Sequence, residues 1–148
     1  MSPRQDFVLE FEATLEEKSR CEGLLSAWAE LRGVNKKLLN SMDLMLDELI
    51  TNIVLHGFEE AGETGHIKMK MEFDGELLKA TVRDNAHSFD PFSVASADTT
   101  LTAEERGIGG LGVHFIRQMA SAYRWRREGA YNEVVSEKTV QSLSKAPE

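Results

Sequence analysis

The pattern that most constrains the fold is a pair of alternating segments joined by Asp74 and Gly75. Apolar and polar residues alternate through residues 65–73 and again through 77–83, as they do in half-buried strands. Asp-Gly between two such segments is a strong signal for a tight hairpin turn. The sequence therefore predicts two adjacent antiparallel strands.

Two helical segments come before this hairpin. Apolar residues recur at helical spacing in residues 15–31, and Gly33 is expected to end that helix. Asn35 is expected to begin a second helix, which runs to about His56 and stops at Gly57. Helices that precede a hairpin are typical of α+β folds.

The other segments have weaker patterns. Residues 6–11 alternate as a short strand does, whereas residues 86–112 have no period and are long for a loop, which is typical of a functional lid or of a disordered segment. The remaining expectations are a helix over 111–122, a strand pair over 123–127 and 133–139 with its turn at Gly129, and a frayed tail from 141.

The order of these elements predicts the fold class. Strands and helices do not alternate strictly, so we expect an α+β two-layer sandwich, with a mixed, mostly antiparallel sheet covered on one face by helices. A chain of 148 residues fits one domain. We assign residues 5–138 to this domain and residues 139–148 to a disordered tail.

Composition narrows the classes of partner and compartment. The formal net charge of −8 gives no basic footprint, so we expect neither nucleic acid nor an anionic membrane as a primary partner. Cys21 is the single cysteine and cannot form an internal disulfide, and the first residues lack a signal-peptide pattern. No apolar run reaches the length of a membrane span, and we expect a cytoplasmic protein.

The second helix carries a row of polar residues beside its apolar stripe. Glu48, Asn52 and His56 are four residues apart and lie at the border of the stripe, where a pocket wall would be. A carboxylate and a carboxamide one turn apart offer a general base and an oxygen ligand for magnesium. The alternative is that these side chains are merely solvated.

A glycine cluster, RGIGGLG over residues 106–112, matches G-x-G-x-x-G. The polar residues before it do not form a strand, which excludes a dinucleotide-binding fingerprint, and there is no G-K-[ST] for a P-loop. A flexible glycine segment before a helix can hold phosphate at free backbone amides, and a simple linker is the alternative.

An acidic turn follows the second hairpin strand. Asp84 stands at the strand end and begins the sequence DNAHSFDP. Facing a cavity, its carboxylate can accept a hydrogen bond from an exocyclic amine and so select adenine over guanine. An ordinary Asp-Asn turn is the alternative.

Together, residues 48–57, 84–91 and 109–116 resemble the N, G1 and G2 boxes of GHKL ATPases, in the same order and with matching spacing. The Phe89-Asp90-Pro91 ending and the Gly-Leu-Gly-x-His run are most similar to bacterial anti-sigma-factor serine/threonine kinases. The resemblance implies ATP and Mg²⁺ as cofactors, a homodimer, and two protein partners, a sigma factor and an anti-sigma factor antagonist.

The resemblance also implies residue roles. Glu48 would activate the attacking hydroxyl, Asn52 would chelate magnesium and Asp84 would bind the adenine amino group. The positions implied at the nucleotide are Asn52, His56, Asp84, Ala86, Phe89, Arg106, Gly107, Gly109, Gly110, Leu111 and Gly112.

One position departs from the family pattern. Ala86 stands where glycine is usual, and its methyl group would crowd the base, or would forbid a positive φ if the turn needs one. Two functions therefore remain open, a kinase acting on the antagonist and a non-catalytic adapter that sequesters a regulator. A small ATPase subunit of a larger sensor system is a third.

Overall fold

The computed structural model describes residues 6–90 and 119–140. They form a sheet of five strands with two α-helices and a π-helix. In chain order the elements are β1 (Phe7–Glu12), α1 (Leu15–Arg32), α2 (Lys36–Asn52), the π-helix (Ile53–Glu59), β2 (His66–Phe73), β3 (Leu77–Asp84), β4 (Ala122–Glu128) and β5 (Tyr131–Thr139). The strands lie in the order β1-β2-β3-β5-β4, and each of these pairings is antiparallel. The α+β fold class is confirmed.

The β2–β3 hairpin forms at the predicted turn. Gly75 has φ of 100°, a conformation that favours glycine. The Asp74 carboxylate accepts hydrogen bonds from the backbone amides of Glu76 at 2.9 Å and Leu77 at 2.7 Å. The turn is therefore fixed by two of its own residues, because Gly75 supplies the backbone conformation and Asp74 satisfies the exposed amides.

Both helices cover one face of the sheet. Residues of β2 and β3 that point to the helices are buried, while their neighbours along each strand are exposed or half-buried. Thr14 caps α1 by accepting a hydrogen bond from the Glu17 amide at 3.1 Å, and Gly33 ends the helix with φ of 72°. The main core residues are Leu25, Leu38, Met42, Met45, Leu49, Ile67, Met69, Met71 and Leu78.

The predicted end of the second helix is wrong. α2 ends at Asn52 and continues as a π-helix to Glu59, so Gly57 lies inside helical structure and is buried. The reason is packing: a Cβ on Gly57 would lie 3.2 Å from the Cβ of Ala86, closer than most such contacts. Glycine stands there because another chain segment comes close, whereas the sequence prediction assigned it to helix termination.

Two further boundaries differ from the predictions. Ala122 begins β4, so the helix predicted over 111–122 ends before it; Met119 is helical, and residues 111–118 lie outside the described part. β5 ends at Thr139, as predicted, but it begins at Tyr131, two residues before the predicted start at 133, and the Val140 amide after it donates to the Glu76 carbonyl at 2.8 Å. In the described ranges, no helix is both long and apolar enough to cross a membrane.

Candidate functional site

A small cavity lies where the last turn of α2 and the π-helix meet the ends of β3 and β5. Four predicted site residues line it: Asn52, Asp84, Ala86 and Phe89. The other lining residues are Leu49, Ile53, Gly57, Asn132 and Val134. Its volume is about 20 Å³, room for roughly one water molecule. A larger ligand therefore enters only if lining side chains move.

Asp84 is the buried carboxylate of this cavity. It is the last residue of β3 and is 4% exposed. Its Oδ1 atom accepts hydrogen bonds from the Ala86 amide and from Nδ2 of Asn132, both at 3.0 Å. Among the described residues, both recorded bonds thus go to one oxygen, which leaves Oδ2 as the acceptor for a ligand.

Burial raises the pKa of Asp84, because a charged carboxylate is poorly solvated inside the protein. The hydrogen bonds from Asn132 and Ala86 oppose this increase in pKa, as do the charges of Arg127 and His87. Arg127 also donates from Nη1 to the Ala86 carbonyl at 2.8 Å. The turn after β3 is thus held next to a cation that favours an ionised Asp84.

Asn132 is a site residue that the sequence analysis missed. It pairs with Asp84 across β3 and β5, and it is 3% exposed. Nδ2 donates to Asp84 and, at 2.8 Å, to the His87 carbonyl, while Oδ1 accepts from the Phe89 amide at 3.2 Å. One side chain therefore fixes both the carboxylate and the turn. Aligning the two strands would have found it, since only register makes these residues neighbours.

The polar row on α2 is interrupted at Asn52. Asn52 is 6% exposed and lines the cavity. His56 is in the π-helix, whose wider i→i+5 turns change where each side chain points. His56 is not among the cavity-lining residues, and its Nδ1 lies 2.8 Å from Oε1 of Glu60. The structure thus brings Asn52 and Asp84 together and places His56 elsewhere.

Glu48 lies one turn before Asn52, is half-buried and does not line the cavity. Burial raises the pKa of its carboxyl, the Asp47 charge raises it further, and Lys18 opposes both. Lys18 in turn hydrogen-bonds Glu22 at 2.8 Å and also Asp47. A carboxylate with a raised pKa is a stronger base than an ordinary one, provided it is still ionised at the working pH.

Ala86 fits its turn without backbone strain. No residue other than glycine has a positive φ in the described part of the chain, so this turn does not need glycine for its backbone conformation. The methyl group of Ala86 is buried and forms part of the cavity wall. Its effect on a ligand is therefore steric.

Six predicted phosphate-site residues are outside the described ranges: Arg106, Gly107, Gly109, Gly110, Leu111 and Gly112. Within those ranges no three His, Cys, Asp or Glu side chains form a group that could hold a metal. Magnesium shared with substrate phosphates needs only one or two protein ligands, so the chemistry of Asn52 fits such an ion.

The fold and the cavity define a class of domain, a two-layer sandwich with a small cavity between its helices and its sheet. The family described as the histidine kinase-like ATPase domain matches residues 11–138, and the chain belongs to this family. Domains of this family bind ATP, usually with Mg²⁺, and membership indicates ATP-dependent phosphoryl transfer or ATP hydrolysis. A search of curated proteins found no match.

Proposed function

We propose that this chain is an anti-sigma regulatory factor that binds ATP with Mg²⁺. It phosphorylates a serine or threonine of an anti-sigma factor antagonist in a cytoplasmic partner-switching system, and it works as a homodimer. The observation that carries the proposal is the buried Asp84: among the described residues, two donors bond one carboxylate oxygen and none bonds the other, which could accept from a ligand. The resemblance of residues 84–91 and 109–116 to anti-sigma kinases supports the choice of partners.

The cavity has the chemistry that an adenine ring needs. Leu49, Ile53 and Val134 supply apolar surface for the faces of the base. Oδ2 of Asp84 accepts a hydrogen bond from an exocyclic amino group, whereas the carbonyl at the same position of guanine would meet a second acceptor. A site built around a buried acceptor strongly rejects a ligand that leaves that acceptor unpaired. We therefore expect ATP to bind more tightly than GTP.

Asn52 and Glu48 have separate proposed roles on α2. The Asn52 carboxamide is the oxygen ligand for a magnesium ion shared with the phosphates. Bound magnesium neutralises charge on the phosphates. Glu48 accepts the proton of a partner hydroxyl, and its raised pKa makes it a better proton acceptor while it is ionised.

The alternative is a non-catalytic adapter that binds and sequesters a regulator. The observation that favours it is the methyl group of Ala86, which forms part of the wall of a cavity of only about 20 Å³. An adapter would keep the fold and its protein partners, and it would either bind ATP without transferring phosphate or bind no nucleotide.

Paired variants on α2 test the kinase. Glu48→Gln should bind ATP normally and lose phosphoryl transfer by about a hundredfold or more, because an amide cannot accept the proton. Asn52→Ala should instead weaken ATP binding in the presence of magnesium and leave binding in its absence nearly unchanged. The measurements are nucleotide titrations with and without magnesium and single-turnover transfer to the antagonist, once co-purification identifies it.

Two exposed residues give matched controls. Glu59→Gln is the control for Glu48→Gln, and Asn40→Ala is the control for Asn52→Ala. Transfer by Glu48→Gln at the wild-type rate would exclude the general base. Normal ATP binding with no transfer to any co-purified partner would favour the adapter.

A further inference from the structure

The sheet face opposite the helices carries a groove with a local positive charge. Its volume is about 470 Å³, within the range of binding pockets. Six cations line it, Lys68, Lys70, Lys79, Arg83, Arg124 and Arg126, against two carboxylates, Glu72 and Glu133. The groove thus has a charge of +4 in a chain of −8, so the rest of the chain carries −12. Such segregation creates a local field that the net charge conceals.

Strand register explains the shape of the groove. Lys70, Thr81, Val135 and Arg124 are neighbours in one row across β2, β3, β5 and β4. The two central side chains are short and the two outer ones are long cations, so the row has a low floor between two basic rims. Four strands span about 14 Å, the length of roughly four extended residues.

One cross-strand pair on this face brings two positive charges together. Lys68 and Arg83 are direct partners across β2 and β3, and like charges at such positions destabilise a sheet. Carboxylates offset part of this charge. Glu133 lies 3.5 Å from Arg83 and 2.8 Å from Arg126. Glu128 lies 2.8 Å from Arg126, and Glu137 lies 3.6 Å from Arg124. Among the described residues Lys68 and Lys79 have no ion pair, although Glu72 and Glu137 are the cross-strand neighbours of Lys79. Both ammonium groups are therefore available to another anion, Lys68 more so than Lys79.

We propose that this groove, here called the basic groove, binds an acidic protein segment in extended conformation. Carboxylates of the segment would lie between the two rims and relieve the repulsion between Lys68 and Arg83. A single strand of nucleic acid fits less well, because none of the described residues that line the groove is an aromatic residue that could stack on bases. A second copy docked by the same face would place the cations of one basic groove against those of the other. The inference does not depend on nucleotide binding.

The test uses a fluorescent peptide of about ten residues that alternates Glu and Ser, long enough to cross the groove. Matched peptides carry Gln or Lys in place of Glu, and single-stranded oligothymidylate tests nucleic acid. We expect the Glu peptide alone to bind, and its affinity to fall as salt is raised to about 0.3 M. The double variant Lys68→Gln with Lys79→Gln should weaken binding of the Glu peptide about fivefold, since each exposed ion pair between a lysine and the peptide contributes modestly.

The matched control is Lys36→Gln with Lys37→Gln, which removes the same charge from exposed positions at the start of α2 and should leave the affinity unchanged. Arg124→Gln on the opposite rim is a second variant should the first not fold, and it should also weaken binding.

Three results would overturn the proposal: no binding of the Glu peptide, equal losses of affinity in the groove and control variants, or tighter binding of oligothymidylate than of the Glu peptide. The proposal would also be overturned if the protein self-associates, the groove variants abolish this self-association, and the self-associated form does not bind the peptide. The groove would then be an interface with a second copy of the chain. Asp84→Asn should bind the peptide normally, which separates this result from the nucleotide site.

Discussion

At the scale of single residues, Asn132 is the side chain on which the geometry of the cavity depends most. Its side-chain amide bonds Asp84, the His87 carbonyl and the Phe89 amide, so Asn132→Ala removes these three hydrogen bonds from the buried and part-buried groups of the cavity. We expect a loss of about 1–3 kcal/mol in the free energy of unfolding. ATP affinity should also fall, since Asp84 loses a donor that orients it. Denaturant unfolding and nucleotide titration measure the two effects.

Asn40→Ala is the control, because this asparagine is exposed on α2. If Asn132→Ala and Asn40→Ala have equal stability and equal ATP affinity, then Asn132 does not organise the site.

Sequence reasoning at this scale succeeded where a residue type and a local motif were enough. Asp84 and Asn52 were identified by their positions at a strand end and on a helix flank, and the structure brings both to one cavity. Asn132 was missed because its role arises from pairing with Asp84 across two strands that are distant in sequence. The position of His56 depends on a π-helix, which periodicity at 3.6 residues does not reveal.

At the scale of elements, two glycines should respond oppositely to the same substitution. Gly23 lies in the exposed part of α1, where an added Cβ meets no atom within 4 Å. Gly65 precedes β2, and a Cβ there would overlap the Phe58 ring and Oδ1 of Asn85. We expect Gly23→Ala to stabilise by about 0.5–1 kcal/mol through helix propensity. Gly65→Ala should destabilise by about 1–3 kcal/mol through overpacking.

Both changes are measured by thermal and denaturant unfolding of the two single variants and of the double variant. The two changes in unfolding free energy should add, because the sites share no partners. A neutral Gly65→Ala would contradict the close packing of the π-helix against the start of β2.

The contact between α1 and α2 predicts a pH dependence. Burial, followed by the charges of Glu22 and Asp47, raises the pKa of Asp43 from 3.8 to about 6. The folded state therefore holds this proton more tightly than the unfolded state, so between about pH 4 and 6 the unfolding free energy falls as pH rises. Asp43→Asn should stabilise by about 1 kcal/mol at pH 7, after allowance for solvent screening of a half-buried group.

Below about pH 4 the gain from Asp43→Asn should vanish, because Asp43 is then protonated in both states. Urea unfolding at pH 7 and at pH 4 measures it, with the exposed Glu63→Gln as a variant of equal charge change. A gain of equal size at both pH values would show that the cause is not the Asp43 charge.

Local signals account for the elements that the sequence predicted well. The hairpin required only the residues of its own turn, Asp74 and Gly75. The helix end at Gly57 required knowledge of Ala86, which approaches it from another part of the chain. Element boundaries set by tertiary packing are the ones that the sequence alone did not give.

At the scale of the whole molecule, the sheet has two faces with different chemistry. One face packs against the helices and ends at the cavity with Asp84, while the other carries the basic groove and is covered by no element in the described ranges. The two sites share no lining residue, so they should respond to separate variants. The hydrophobic pattern of the sequence predicts the fold class and the sheet face that packs against the helices. It does not predict the basic groove, because the cations of the groove come from strands whose order in the sheet the sequence does not specify.

The central claim is that Asp84 makes this an adenine site, and thermal unfolding with Mg²⁺ and either ATP or GTP tests it most directly. A ligand that binds the native state alone stabilises it by RT ln(1 + [L]/Kd), about 2.7 kcal/mol at a hundredfold excess over Kd. We predict a clear increase in the unfolding temperature with ATP, a much smaller one with GTP, and neither with Asp84→Asn. Equal shifts with ATP and GTP, no shift with either, or an undiminished ATP shift in Asp84→Asn would contradict the claim.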